Sequence, residues 1–389
     1  MSDDVRLIVN DVEYGGWTSA QITRGIEAIA GGFALTVSER WAGQARPWPI
    51  RGEDRCVVKI GDDVLITGWV DRRGHRYDRD SHTLSVEGRD AAGALVDCSA
   101  VLASTQFSGI GIRELCAKVA KPFGIDVTVQ DGLVDTAIST SPALASGGGG
   151  APRAVGSAGA LSSMRIGKVK APFTINPGES AFDVIDRACR IVGVLPVSDG
   201  QGAIVLTRAG GLRCTTPLVE GENILSVDAS YDESKRYARY LVSGQSAGDN
   251  EVNSLAASEI AAVATDEGVR RTERVLLIRP EVGSLSGGFA QVRAAWEATV
   301  RKARSSTISV VVQGWTQSDG TLWPINALVD VTSPAIGVDG QMLITGVTFS
   351  LSDEAGSTTT LSLTGPDAFT PEPVQTEQSS PWPELRNGV

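Results

Sequence analysis

Three short blocks of this sequence occur twice, in the same order, and no other feature limits the fold as strongly. Trp48-Pro49-Ile50 returns as Trp323-Pro324-Ile325, each preceded by a second tryptophan, Trp41 or Trp315. Leu65-Ile66-Thr67-Gly68 returns as Leu343-Ile344-Thr345-Gly346. Thr83-Leu84-Ser85, then Gly88, Asp90 and Ala91, returns as Thr360-Leu361-Ser362, then Gly365, Asp367 and Ala368. One match of this length would be chance; three in order describe two copies of one unit with an insertion between them. Short runs of β-branched and aromatic residues, punctuated by Gly and Asp, make that unit one of strands and turns. The expected fold is mainly β with an α+β insertion, built from two similar antiparallel β-barrels per chain.

The domain boundaries follow from the change of period. Residues 1–98 form the first barrel unit, with strands expected at 5–14, 33–38, 56–60, 64–70 and 82–87. Residues 99–214 form the α+β unit. There, Ile112, Leu115, Cys116, Val119 and Phe123 recur at helical spacing and are closed by Pro122 and Gly124. A second helix starts at Ser180, whose hydroxyl can cap it with Asp183 three residues on; Phe182, Ile185, Cys189 and Val192 make its apolar face. A hairpin, 194–197 and 203–207, turns at Asp199-Gly200. Between the helices, 21 of the 27 residues from 137 to 163 are Ala, Ser, Gly or Pro, a composition that buries too little side chain to offset chain entropy, so a flexible loop is expected. Residues 215–370 form the second barrel unit. A helical excursion near 287–304 interrupts it, with Phe289, Val292, Trp296 and Val300 on one face. Residues 371–389 form a loose, proline- and glutamate-rich tail.

The composition argues against most chemistry. With Lys+Arg 35 against Asp+Glu 46, the net charge of −11 repels phosphates, so general nucleic-acid or membrane binding is not expected. No apolar run approaches the roughly 18 residues needed to cross a bilayer, and no secretory signal is read at Met1-Ser2-Asp3-Asp4, so synthesis in the cytoplasm is expected. The five scattered cysteines read as buried free thiols. Gly244-Gln245-Ser246-Ala247-Gly248 fits the nucleophile-elbow pattern, but that pattern requires a later histidine, and the only two, His75 and His82, precede it. Those histidines have no third metal ligand beside them, and no Lys-Ser/Thr follows Gly147–Gly150 as a phosphate loop would demand. No catalytic residue, metal or cofactor is expected. Eight tryptophans suggest carbohydrate binding as a rival reading. Trp17, Trp41, Trp48, Trp315 and Trp323 fall at barrel positions, however, and two pairs are duplicated, which favours core or interface packing.

Beyond these patterns, the chain resembles the Mu-type phage baseplate hub proteins. That family is related in fold to the late control protein D group and to the hub portion of type VI secretion spikes. The resembling residues are Gly16-Trp17-Thr18, Arg24, Ile26-Glu27, Ala30-Gly31 and Phe33, then Gly88-Arg89-Asp90 with Asp97-Cys98. Further on they are Arg187, Arg190, Gly193 and Val194, then Gly314-Trp315, Asp319-Gly320, Leu322-Trp323, Asp353-Glu354 and Gly356-Ser357. The loop 137–163 departs from the family's pattern. The resemblance implies a structural, non-enzymatic homotrimer in the virion tail baseplate, adapting the six-fold tail tube of a contractile tail to the three-fold central spike. Its implied partners are further copies of itself, the spike protein, the tail tube or tube-initiator protein and the tape measure protein. DNA would meet it only in transit through the bore, and no membrane insertion is implied. The alternatives are a carbohydrate- or host-surface-binding tail module and a tail-associated wall hydrolase. Arg72, Arg73, Arg76 and Arg79 are interleaved with Asp71, Asp78 and Asp80, which reads first as a solvated loop with local ion pairs; within a ring, this basic hairpin and its acidic counterpart Asp353 and Glu354 are also candidates to pair between subunits.

Overall fold

The computed structural model describes residues 4–38, 49–79, 82–130, 132–133, 173–243, 260–279 and 287–373. The first strands are β1 (Val5–Val9), β2 (Val12–Tyr14), β3 (Ser19–Gly25), β4 (Gly32–Ser38), β5 (Arg55–Ile60), β6 (Asp63–Tyr77) and β7 (His82–Asp90). The segment 5–14, read as one strand from its apolar content, is a hairpin. Asn10 and Asp11, at φ 50° and 64°, supply the two positive-φ positions that a tight antiparallel turn needs. Burial alternates along β1 and, from Thr83 on, along β7, the signature of one face packed in the core and one only half-covered. At Gly88 any side chain would meet the Phe33 ring at 2.7 Å, so only glycine lets β4, β6 and β7 approach there.

The middle of the chain carries its own core. Its elements are α1 (Gly93–Asp97), β8 (Gln106–Phe107), α2 (Ile112–Ala120), β9 (Asp126–Val129), β10 (Phe173–Thr174), α3 (Ala181–Val192), β11 (Leu195–Ser198) and β12 (Ala203–Thr207). Strands β11, β12 and β9 form a three-stranded sheet against α2 and α3, with Leu115, Cys116, Val119, Ile185, Cys189, Ile204 and Leu206 buried between the layers. Both ends of α3 follow from sequence. Ser180 and Asp183 form the reciprocal capping box, and Gly193 ends the helix in the left-handed conformation at φ 70°.

The remaining elements begin with β13 (Leu212–Arg213), β14 (Leu218–Val219) and β15 (Ile224–Tyr231). A small unit follows, in which β16 (Arg239–Ser243), β17 (Ile260–Thr265) and β18 (Val275–Ile278) form a sheet packed on α4 (Gly287–Arg304). The chain then closes with β19 (Ser306–Gln313), β20 (Ala327–Ser333), β21 (Val338–Ser352) and β22 (Gly356–Thr364). The apolar face expected for α4 is displaced. Ala290, Ala294 and Val300 are buried, whereas Val292 is 54% exposed. Small alanines let the helix sit close on the sheet, Phe289 and Trp296 are half-buried, and of the expected face only Val292 is exposed.

The expected pair of closed barrels is not what the pairing shows. Fourteen strands join into one sheet, ordered β15-β19-β22-β21-β3-β4-β7-β6-β5-β1-β2, with β20 attached to β21 and in turn to β13 and β14. Closing a barrel requires each half to pair its own end strands; here β21 of the later half instead pairs β3 of the earlier one. Most pairs are antiparallel, but β13 and β14 run parallel to β20. The duplication is visible in topology. The path β3-β4-β7-β6-β5-β1 matches β15-β19-β22-β21-β20 with β13 and β14 beyond. The Thr-Leu-Ser blocks occupy matching places, opposite Ser38, Val37 and Thr36 on one side and Val311, Val310 and Ser309 on the other. The Leu-Ile-Thr-Gly blocks lie on matching strands, β6 and β21, but at different heights. Gly68 faces Asp90 of β7, whereas Gly346 faces Ser362 of β22, the counterpart of Ser85.

Candidate functional site

The two halves meet along one strand pair. β21 divides between two partners: residues Val338 to Leu343 pair with β20, and residues Gly346 to Ser352 pair with β3. Across this joint Phe349 faces Ile22 and Leu351 faces Ala20; Phe349, Ile22 and Ala20 are buried. Thr23 and Thr348 share a hydroxyl–hydroxyl hydrogen bond of 3.2 Å. Gly25 sits 3.1 Å, counted from where a Cβ would be, from the Thr345 carbonyl oxygen, so a side chain there would press on the joint.

Arg24, next to Gly25, ties the joint to the middle unit. Its guanidinium donates to the Ser198 carbonyl at 2.9 Å, and burial lowers its pKa against the pull of Asp90 and Asp199. Asp90 is 2% exposed and accepts the backbone N–H of Gly31 at 2.9 Å and of Ala92 at 3.0 Å. Burial pushes its carboxyl up, and hydrogen bonds from Ser198, Gly31 and Ala92 pull it back in part. Arg89 beside it donates to Asp71 at 2.7 Å and to both oxygens of Asp97 at 3.1 and 2.6 Å, which holds the Asp97 carboxyl below its usual range. A cavity of about 550 Å³ lies over this clamp, lined by Glu53, Trp69, Asp71, Arg89 and Asp97 among others. In the middle unit Arg187 makes two 2.8 Å bonds to Glu179, a third of 2.8 Å to the Thr174 carbonyl, and lies 4.3 Å over the Phe173 ring.

The candidate interface residues fall into two groups. Trp17, Trp315 and Trp323 are buried in the chain's own core, and Trp315 donates its indole N–H to the Ser350 carbonyl at 3.1 Å. A buried indole cannot serve as a sugar-stacking platform. Trp41 and Trp48 lie outside the described residues. The charged candidates occupy the matching hairpins: Arg72, Arg73 and Arg76 are exposed on β6 with Arg79 just beyond it, and Asp353 and Glu354 are exposed in the turn between β21 and β22. Arg72 pairs with Glu87 at 3.3 Å, and Arg73 donates to the Ile50 carbonyl at 2.7 Å. Three of the cysteines are buried as expected, but Cys98 is exposed and Cys214 half-buried. Among the described residues, no group of three or more His, Cys, Asp or Glu side chains could hold a metal. No helix there is long and apolar enough to cross a membrane, which leaves β-barrel spans unaddressed. Gly244 to Gly248 and the segment 137–163 lie outside the described residues. What the sequence did not reveal is the strand joint itself and the arginine clamps that brace it.

Comparison with known proteins places this arrangement. Residues 4–90 match the N-terminal domain of the Mu phage baseplate assembly protein GpP-like family, and residues 286–372 match the fourth domain of Mu phage baseplate assembly protein GpP. Residues 92–142 and 162–208 match the second domain of baseplate hub protein gp44-like proteins. A tail protein of prophage MuSo2 from Shewanella oneidensis is 30% identical, with 94% of this chain and 99% of that one covered at a TM-score of 0.74. The chain belongs to the Mu-type baseplate hub family. The baseplate hub protein gp44 of Escherichia phage Mu is 29% identical over 98% of this chain and 92% of that protein. A tail protein from Neisseria meningitidis shares the fold at 20% identity and a TM-score of 0.68, covering 95% and 98% of the two chains. The family consists of structural tail components, so this chain is a hub protein of a Mu-like tail baseplate and not an enzyme.

Proposed function

We propose that the chain acts as a homotrimeric ring at the centre of a contractile-tail baseplate, adapting a six-fold tail tube to a three-fold central spike. The observation that supports this is the repeated strand order, with the two like halves welded side by side through β21 and β3. Two like units per chain turn a three-fold ring into six near-equivalent positions, which matches a tube on one face and a spike on the other. The partners in this reading are the spike protein, the tube or tube-initiator protein and the tape measure protein; DNA crosses the bore, whose wall an acidic chain of net charge −11 would keep from sticking. No cofactor takes part. The units of the ring are residues 1–98 and 215–370, with 99–214 as the insertion, and the arginine hairpin and the acidic turn contribute to contacts between copies.

Light scattering of the purified chain tests the reading, with a mass of three times 40.7 kDa expected. Negative-stain images should show three-fold rings, and the spike protein should be captured without metal or nucleotide. A compact monomer at every concentration that also fails to capture the spike would defeat the proposal.

A further inference from the structure

We infer that Cys116 and Cys189 close to a disulfide when the chain meets an oxidising medium, so that the middle unit carries a dormant covalent staple between α2 and α3. The staple belongs to a tail component that ends up outside the cell, and it needs no ring. The two thiols stand on packed helices, 73 residues apart in sequence, with their sulfurs 4.0 Å apart. A disulfide holds its sulfurs at about 2.05 Å, so about 2 Å of separation must be lost. Rotation about the Cα–Cβ bonds, with a small shift of the helices, covers a gap of that size. The other cysteines are placed differently. Cys56 sits in the separate core of the large sheet, Cys98 is exposed and Cys214 is half-buried.

The surroundings decide what kind of dithiol this is. Both residues are 0% exposed, in one apolar cluster with Leu115, Val119, Ile185 and Ala188. A redox catalyst keeps a thiol partly exposed in an electropositive spot, where the thiolate forms easily. Here the hydrogen bond with Cys116 and then burial hold the Cys189 thiol well above its ordinary range, so thiolate is scarce. A single buried cysteine is explained as a small apolar filler. Two that meet sulfur to sulfur across a helix interface add a chemistry, slow to start and slow to reverse.

The oxidant is a low-molecular-weight disulfide. Local opening of the α2–α3 contact exposes one thiol, which loses its proton and attacks the small disulfide. That S–S bond breaks, a mixed disulfide forms and one small thiol leaves. The second cysteine, deprotonated in turn, attacks the protein sulfur of the mixed disulfide; the Cys116–Cys189 bond forms and the second small thiol departs. The two cysteine sulfurs give up two electrons and two protons, and the small disulfide takes both. Cytosolic thiols keep such a pair reduced, whereas disulfides persist on virions and outside cells. The chain is therefore assembled with the pair open and stapled afterwards. The bond closes a loop that contains the Ala/Ser/Gly/Pro-rich stretch 137–163. Cross-linking a long loop removes freedom from the unfolded chain, which stabilises the folded unit wherever the native geometry takes the bond without strain.

The test uses the full chain with Cys98→Ser and Cys214→Ser, which leaves Cys56, Cys116 and Cys189. It is incubated with oxidised glutathione, in buffer and in urea below the unfolding transition, then denatured and alkylated. Mass spectrometry should show the free thiols falling from three to one, with a linked Cys116–Cys189 peptide and no retained glutathione. Linking should be faster in the mild urea, because opening limits it. The urea midpoint of the oxidised chain should rise, and return to its starting value once a reductant is added to the unfolded chain and the titration repeated. Adding Cys189→Ala, or Cys116→Ala should the first variant not fold, should abolish both the link and the oxidation-dependent shift. A chain that keeps all three thiols, holds glutathione instead, links only after global unfolding, or is destabilised by the 116–189 bond would overturn the staple. A staple found in a chain that never associates would stand, and would count against the ring alone.

Discussion

Asp90 shows what a single buried charge does in this fold. Its two oxygens accept the N–H groups of Gly31 and Ala92, and so fasten the β3–β4 turn to the start of the middle unit. Burial raises its pKa, so its ionised form is carried at a cost that the hydrogen bonds offset only in part. Asp90→Ala should leave two interior donors unpaired and lower stability by about 2–4 kcal/mol, read from the shift of a urea unfolding curve. A change under about 0.5 kcal/mol would mean that water replaces the carboxylate. Glu179 has the opposite sign. Arg187 holds its carboxyl below the ordinary glutamate value of 4.5, chiefly through the hydrogen bonds between them. Because the folded-state value is the lower one, this stabilisation is present above the unfolded value and is lost as pH falls through the folded one. The melting temperature of wild type should therefore fall more steeply on acidification between about pH 5 and pH 3 than that of Glu179→Gln. Parallel curves would assign the acid sensitivity elsewhere. Neither residue was legible as a brace in the sequence, because the partners of Asp90 lie as far along the chain as Gly31 and Ser198 and no local pattern announces them.

Elements were legible where their signals are local. The Ser180–Asp183 capping box marks the start of α3, and the structure carries it. Ser180→Ala removes the hydroxyl that accepts the Asp183 N–H at 3.1 Å, and should cost about 1 kcal/mol in a denaturant titration, with Ser180→Asp retaining most of the stability. An alanine variant as stable as wild type would show that packing of Ile185 and Cys189 alone fixes the helix start. The helix α4 lies where its period placed it, but part of its buried face was misread for a physical reason. Large apolar residues draw the eye to Phe289 and Val292, but the buried face is Ala290 and Ala294, with Glu297 held inside by Arg293 and Arg301 at 2.9 and 2.7 Å. Side-chain size predicts burial poorly where a helix lies close on a sheet, since close approach selects small residues. The strand 5–14 failed for a related reason: Asn10-Asp11 is a turn signal that hydrophobic counting passes over.

At the scale of the molecule, the repeated blocks lie on strands that follow one another in the same sheet order, but nothing in them tells how those strands are joined. Strand pairing across hundreds of residues leaves no periodic trace; β21 meets β3 through contacts separated by 325 residues at Thr23 and Thr348. The joint has a mechanical consequence. Residues of both halves, from Leu7 and Ile22 to Phe349 and Leu361, belong to one continuous core, and the sheet crosses from one half to the other without a break. The halves should therefore unfold together, unlike two barrels strung on a linker. Phe349→Ala is the sharpest probe, because this ring is 2% exposed and faces Ile22 across the joint. Truncating it should cost about 3–5 kcal/mol, the usual range for a buried phenylalanine. The loss should reach both halves: Trp17 on the early side and Trp315 and Trp323 on the late side should lose their buried environment at one lowered denaturant concentration. Tryptophan emission of variants retaining reporters in only one half would follow each side in turn. Coincident, equally shifted transitions are expected from a single sheet. If the late half melts early while Trp17 keeps its wild-type midpoint, the two halves are separate cooperative units, and the β21–β3 pairing contributes register but little stability.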